Sequence, residues 1–227
     1  MLHDFAGAEG ENPDSPLLLA SDGNFYGTAT GGGAYGDGVV FKMTPAGAVT
    51  AFHSFSGADG AVPGFGPLIQ ATDGRLYGIA IYGGANDDGT IYSVTVSGTL
   101  GVIHSFEGTD GANPYGGLTQ HTNGILYGSA AFGGTDGDGV LYSLDVGLGP
   151  FVRFLLNSGK VGSSVQIFGQ GLTGTTAVSF NGTPASFSVA SDTFLVATVP
   201  TGATTGPVVV TTPSGALTSN VAFRVSP

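Results

Sequence analysis

An internal repeat constrains this chain more than any other feature of its sequence. The segments LHDFAGAEG, FHSFSGADG and IHSFEGTDG place His3, His53 and His104 in one register, at separations of 50 and 51 residues. The residues after each histidine keep step. Pro13, Pro63 and Pro114 align, then SDGNFYG, TDGRLYG and TNGILYG, then GGGAYGDGVVF, YGGANDDGTIY and FGGTDGDGVLY. A period of this length implies one supersecondary unit per repeat, with an apolar face that is buried only by stacking on a neighbour.

Within a repeat, four extended runs are separated by turn chemistry. In the second they cover residues 48–55, 66–71, 75–82 and 89–95, split by Asp, Gly and Pro clusters and by the Asp73-Gly74 hairpin signal. No segment sustains a 3.6-residue apolar period, so helices are not expected. Four antiparallel strands per repeat describe a propeller blade. Closed propellers need roughly four to eight blades, so the reading is a partial propeller or one completed by oligomerisation. A two-fold dimer would supply six blades. The first unit opens with only a stub, Met1–Phe5, where the second has a full strand, which leaves an exposed sheet edge.

Residues 149–227 read differently. Val, Phe and Thr runs alternate with Gly, Asn and Ser turns at the spacing of a β-sandwich. The expected architecture is therefore all-β in two domains: blade-like repeats over 1–148 and an immunoglobulin-like sandwich over 149–227. With 42 glycines and 9% charged residues the chain could pass for low complexity, but 41% apolar content is that of a packed protein. Charge divides the same way. Residues 1–148 carry fifteen Asp/Glu against Lys42 and Arg75, a net of −13, whereas 149–227 carry Asp192 against Arg153, Lys160 and Arg224, a net of +2. Without a basic stripe, nucleic acid is excluded as a partner. No apolar run reaches the length of a membrane span. The opening MLHDFAG lacks the basic and apolar regions of a signal peptide, so none is expected in this chain.

The repeat unit H-S-F-x-G-x-D-G-x-x-P, D-G-x-L-Y-G and G-G-x-x-x-x-G-x-x-Y resembles the GloVer tandem repeat of bacterial secreted and surface-anchored proteins. That resemblance implies a propeller-like fold and an extracellular or cell-surface setting, and carries no biochemical activity with it. The run Gly159–Gly169 followed by V-x-V-x-T-P-x-G resembles an IPT/TIG domain, which implies an immunoglobulin-like spacer, adhesion module or assembly surface.

Three sets of residues could carry chemistry. The first is His3, His53 and His104: strand alternation puts His53 on one face with Phe55 and His104 with Phe106, which favours a packed, hydrogen-bonded role over a ligand or metal contact. The acidic turns at Asp37, at Asp87 and Asp88, and at Asp136 and Asp138 offer carboxylates and glycine-rich carbonyls to calcium, the one cofactor to weigh, although Asp-Gly is also plain turn chemistry. Tyr26, Tyr77 and Tyr127, each followed by glycine, would stack on sugar rings if exposed and build the core if not. Gly169–Gly174 spells G-x-G-x-x-G, but a β run follows it, so it reads as a turn and not a phosphate cradle. These features favour a surface module that binds a glycan or another surface ligand. The alternatives are a carbohydrate hydrolase with its site at one end of the propeller and a structural subunit of an array or filament.

Overall fold

A computed structural model describes residues 1–227. The chain is all-β apart from one 3₁₀ turn at Gly7–Glu9, and it divides into two compact units. The first, Met1–Gln120 with Leu126–Leu144, holds three antiparallel sheets. The first sheet is a meander of β1 (Leu18–Leu19), β2 (Phe25–Ala29), β3 (Val39–Met43) and β4 (Val49–Ser54). In the second, β5 (Ala61–Pro63) and β6 (Ile69–Gln70) both pair with β7 (Leu76–Tyr82), followed by β8 (Thr90–Val94) and β9 (Leu100–Ser105). The third comprises β10 (Thr119–Gln120), β11 (Leu126–Ala130) and β12 (Val140–Leu144).

Sheets and sequence repeats are out of phase by one strand. β4, which carries His53, pairs with β3 at Val40↔His53, and β9 pairs with β8 at Ile91↔His104. The histidine strand of each repeat thus closes the sheet of the repeat before it. Two expectations are corrected by this offset. The sheets have four, five and three strands instead of four each, and Met1–Phe5 is not the first strand of its own sheet but lies outside any sheet.

Apolar side chains of successive sheets meet face to face. Val40 and Phe55 pack with Leu68, Leu76 and Tyr92 in one buried cluster. The phenylalanine of each histidine segment meets an aromatic ring of the third strand of the following sheet edge-on or tilted: Phe55–Tyr92 at 5.0 Å and Phe106–Tyr142 at 5.3 Å, with Phe5–Phe41 at 5.0 Å in the first repeat. Tyr-Gly pairs make room for those rings. A Cβ at Gly78 would stand 2.5 Å from the Tyr92 hydroxyl, so only glycine fits. Neither the Tyr92 nor the Tyr142 hydroxyl has a partner on the protein. Glutamines stitch neighbouring repeats: Gln70 Oε1 accepts from the Ser21 amide at 2.8 Å and Gln120 Oε1 from the Thr72 amide at 3.2 Å.

The second unit comprises Asp145–Pro227 with the turn His121–Ile125. Its strands are β13 (Arg153–Phe154), β14 (Ser158–Lys160), β15 (Ser164–Phe168), β16 (Ala177–Phe180), β17 (Thr183–Pro184), β18 (Phe187–Ser191), β19 (Phe194–Thr198), β20 (Val208–Thr212), β21 (Gly215–Thr218) and β22 (Arg224–Ser226). They form the sheets β13-β15-β19-β18 and β17-β16-β20-β21, with a parallel β14-β22 pair. One apolar core joins both sheets through Ile167, Leu195, Phe180, Val208, Val210 and Phe223. Gly169–Gly174 lies in the turn between β15 and β16. Within it Gln170 donates to Thr122 Oγ1 at 3.2 Å, while the Phe151 amide donates to the Thr122 carbonyl at 3.0 Å.

Candidate functional site

Each repeated histidine leans edge-on against the phenylalanine two residues later, His3 on Phe5, His53 on Phe55 and His104 on Phe106, with centroids 5.1, 5.1 and 4.9 Å apart. The strand alternation of H-x-F puts both rings on one face, and the turn after it returns an acid to the imidazole. His53 Nε2 meets Asp59 Oδ2 at 2.7 Å, His104 Nε2 meets Asp110 Oδ2 at 2.7 Å, and His3 Nε2 meets Glu9 Oε1 at 2.6 Å. The other oxygen of each aspartate accepts a main-chain amide, Ser56 at 2.9 Å and Glu107 at 3.0 Å. In the first repeat Glu9 Oε1 also accepts from the Ala6 amide, at 3.2 Å.

These carboxylates were legible in the sequence, six residues after every histidine, and were missed as partners. The geometry makes each His–carboxylate pair a clasp on its own turn, with both aspartate oxygens engaged. The three imidazoles do not gather at one point, and no group of three or more His, Asp or Glu side chains is placed to hold a metal ion.

The acidic turns do backbone work. The Asp37 carbonyl accepts from the Val62 amide at 2.9 Å and the Asp88 carbonyl from the Asn113 amide at 2.8 Å, tying each turn to the next repeat. Asp87 takes a left-handed φ of 63° and its carboxylate accepts from the Gly83 amide at 2.8 Å. Asp138 forms an isolated bridge with Gly133, and Asp136 is exposed beside it.

The tyrosines divide. Tyr26 and Tyr77 are in the core, so of the two roles open to them they take the structural one and do not present ring faces to a ligand. Alternation places them on the inward face of β2 and β7, and only their hydroxyls reach polar partners, Asp22 Oδ2 at 2.9 Å and Asp73 Oδ2 at 3.0 Å. Burial, reinforced by the Asp73 carboxylate, pushes the Tyr77 phenol up to about 12. Burial alone would raise the Asp22 carboxyl, but hydrogen bonds from Asn24, Lys42 and Tyr26 outweigh it and hold that group well below the usual carboxylate range. Lys42 Nζ lies 3.0 Å from Asp22 and 5.4 Å from the Tyr26 ring centroid. Tyr127 stands 41% exposed.

A different aromatic group faces solvent. Phe65 and Tyr115, each just after the aligned proline of its repeat, stack in parallel at 6.3 Å with 8° between their planes. The turns carrying them touch, since a Cβ on Gly66 would run into the Gly117 backbone. A hydrogen bond with Tyr82 raises the Tyr115 phenol. Phe65, Tyr82 and Tyr115 are 49, 41 and 38% exposed. The parallel rings leave apolar aromatic surface exposed where the turns of two adjacent repeats touch. Sequence reasoning passed over it because the first repeat has Asp14 and Ser15 after its proline, so the aromatic positions do not recur in all three.

The sequence model for the Gloeobacter/Verrucomicrobia repeat matches residues 1–184, past the third repeat and into the second unit. No curated protein matches the sequence. Among solved structures, a streptogramin B lyase is similar over 100% of this chain and 72% of its own, at 14% identity and TM-score 0.41. Virginiamycin B lyase from Staphylococcus aureus is similar over 93% of this chain and 69% of its own, at 14% identity and TM-score 0.37. A putative gluconolactonase is similar over 80% of this chain at 18% identity and TM-score 0.35, and this chain spans 57% of that one.

Proposed function

The chain belongs to the Gloeobacter/Verrucomicrobia repeat family, and from the exposed aromatic surface its repeats carry we propose that it is an extracellular or cell-surface binding and scaffolding module that recognises a neutral glycan. The observation that carries this reading is the exposed stack of Phe65 on Tyr115 beside Tyr82. Exposed aromatic surface is costly to keep in water unless it is used, and parallel rings match the flat apolar faces of sugars. The net of −13 over residues 1–148 disfavours anionic polysaccharides and leaves neutral ones.

Binding is preferred to hydrolysis because a glycosidase needs two carboxylates free to act on the bond. Asp59 and Asp110 each spend one oxygen on a histidine and the other on a main-chain amide. The second unit serves, in this reading, as an immunoglobulin-like spacer of IPT/TIG type, and the repeats work as blades of a propeller completed between copies, six blades in a dimer.

Titration calorimetry against neutral oligosaccharides and soluble polysaccharides tests the glycan reading. The expected result is millimolar-to-micromolar binding that weakens about tenfold or more in Phe65→Ala and Tyr115→Ala, a loss of roughly 1.4 kcal/mol or more. Both side chains are exposed, so thermal stability is expected to hold. Binding unaltered in both variants, or no binding by the intact chain, overturns it.

A further inference from the structure

Equivalent positions in the three repeats have unequal burial, and the inequality falls on two faces. Val40, Ile91 and Leu141 occupy the same place in the third strand of their sheets, yet they are 0, 1 and 88% exposed. Leu17, Leu68 and Leu118 occupy the same place ahead of the D-G-x-[FL]-Y-G turn or its Asn123 variant, and they are 48, 2 and 3% exposed. Between successive repeats the first kind of residue is covered by a surface carrying the second: Val40 and Leu68 lie in one buried cluster. Leu141 and Leu17 are therefore the two halves of a contact the fold already makes within itself, each left open.

The main chain repeats the pattern. β3 is paired by β4 and β8 by β9, whereas β12 has no partner on its outer edge. A strand there would be of the H-x-F type, and one segment of that type, Met1–Phe5, lies outside every sheet of the structure. Phe5 already packs on Phe41 as Phe55 packs on Tyr92. His3 is clasped by Glu9 as His53 is by Asp59. The segment is thus held in the posture of β4 and β9, without the neighbour those strands pair with.

We infer that β12 of one copy pairs antiparallel with Met1–Phe5 of a second copy, burying Leu141 against the face that carries Leu17. This rests on the proposal that the repeats are completed between copies and adds which faces meet, in what order and in what register. The contact is head-to-tail, so two copies close a ring or several form an open chain, and a face-to-face pairing of like surfaces is excluded. The pairs Val39↔Ser54 with Val40↔His53, and Thr90↔Ser105 with Ile91↔His104, fix the register. Transferred to the open edge, it sets Val140 opposite Asp4 and Leu141 opposite His3. Hydrogen bonds of a strand edge supply affinity, and the two leucines supply apolar burial.

The test uses the full chain, whose lack of cysteine leaves engineered thiols unambiguous. Light scattering behind a sizing column at tens of micromolar is expected to give a multiple of 22.5 kDa. Leu141→Glu, at an exposed position, is expected to give 22.5 kDa with an unchanged far-UV spectrum. Oxidised Asp4→Cys/Val140→Cys is expected to cross-link between copies, and Asp4→Cys/Ser143→Cys, three residues out of register, is not. A wild-type mass of 22.5 kDa overturns both the completion between copies and the faces assigned to it. A multiple of that mass that survives Leu141→Glu, together with no cross-link in Asp4→Cys/Val140→Cys, leaves association standing and overturns the faces and register.

Discussion

At the scale of residues, the three repeats act as controls for one another. Asn12, Val62 and Asn113 precede the aligned prolines and all take left-handed backbone, with φ of 56, 53 and 50°. Asparagine tolerates that conformation and a β-branched side chain does not, so Val62 stores strain that its two counterparts avoid. The position is held because the Val62 amide donates to the Asp37 carbonyl, as Asn113 donates to Asp88. Asn113 also gains a bond from its side chain to the Ile81 carbonyl at 3.1 Å, which valine cannot make. Val62→Asn is therefore expected to stabilise the repeats by about 1 kcal/mol. Urea denaturation followed by tyrosine fluorescence measures it, and an unchanged or lowered midpoint counts against the strain. Such a residue is invisible in the sequence until the repeats are aligned and the backbone is known, since valine before proline reads as ordinary extended chain.

At the scale of elements, the longer strands are legible in the sequence, whereas β5 falls in no expected run, the run over 66–71 shrinks to Ile69–Gln70, and the grouping of strands into sheets is not legible. Aromatic and β-branched runs between Asp-Gly and Gly-Gly turns predict strands over 75–82 and 89–95, and the structure has Leu76–Tyr82 and Thr90–Val94. A period, however, states spacing without stating where a unit begins, so the histidine strand reads as part of the repeat it opens instead of the sheet it closes. Alternation has the same limit for the tyrosines, because it fixes which residues share a face and leaves open which face is buried. The clasp is the element-scale feature that binds strand to turn. Gly57 and Gly60 exchange two main-chain hydrogen bonds at 3.1 and 3.2 Å, and Asp59 anchors the loop to the Ser56 amide and to His53. Asp59→Ala frees an amide and an imidazole nitrogen at once and is expected to cost about 2 kcal/mol, with Asp59→Glu costing less because Glu9 makes the same clasp in the first repeat. Chemical denaturation with an unchanged m-value gives the figure. Equal midpoints for Asp59→Ala and the parent chain would remove the clasp from the account of what holds the repeats.

At the scale of the whole molecule, two units with different chemistry share one chain. All eight tyrosines lie in residues 1–144 and there is no tryptophan, so intrinsic fluorescence reports the first unit alone, while far-UV circular dichroism reports both. Each unit encloses its own apolar cluster, which favours two separate unfolding transitions over one. Alkali then separates them. An exposed tyrosine titrates near pH 10, whereas burial pushes Tyr77 up to about 12, and burial drives Tyr92 and Tyr142 higher still. A phenol whose folded value is raised contributes stability that is complete below its unfolded value and is lost as pH climbs through the interval to the folded one. From pH 10 upward the unfolded first unit therefore gains charge that the folded unit resists, and its melting temperature is expected to fall steeply between pH 10 and 12. The second unit has no tyrosine to ionise, so its transition, seen by dichroism after the fluorescence change is over, is expected to move far less in that window. A single transition that both probes report at the same temperature, and that shifts as one across that window, would show that the two clusters unfold as a single cooperative body.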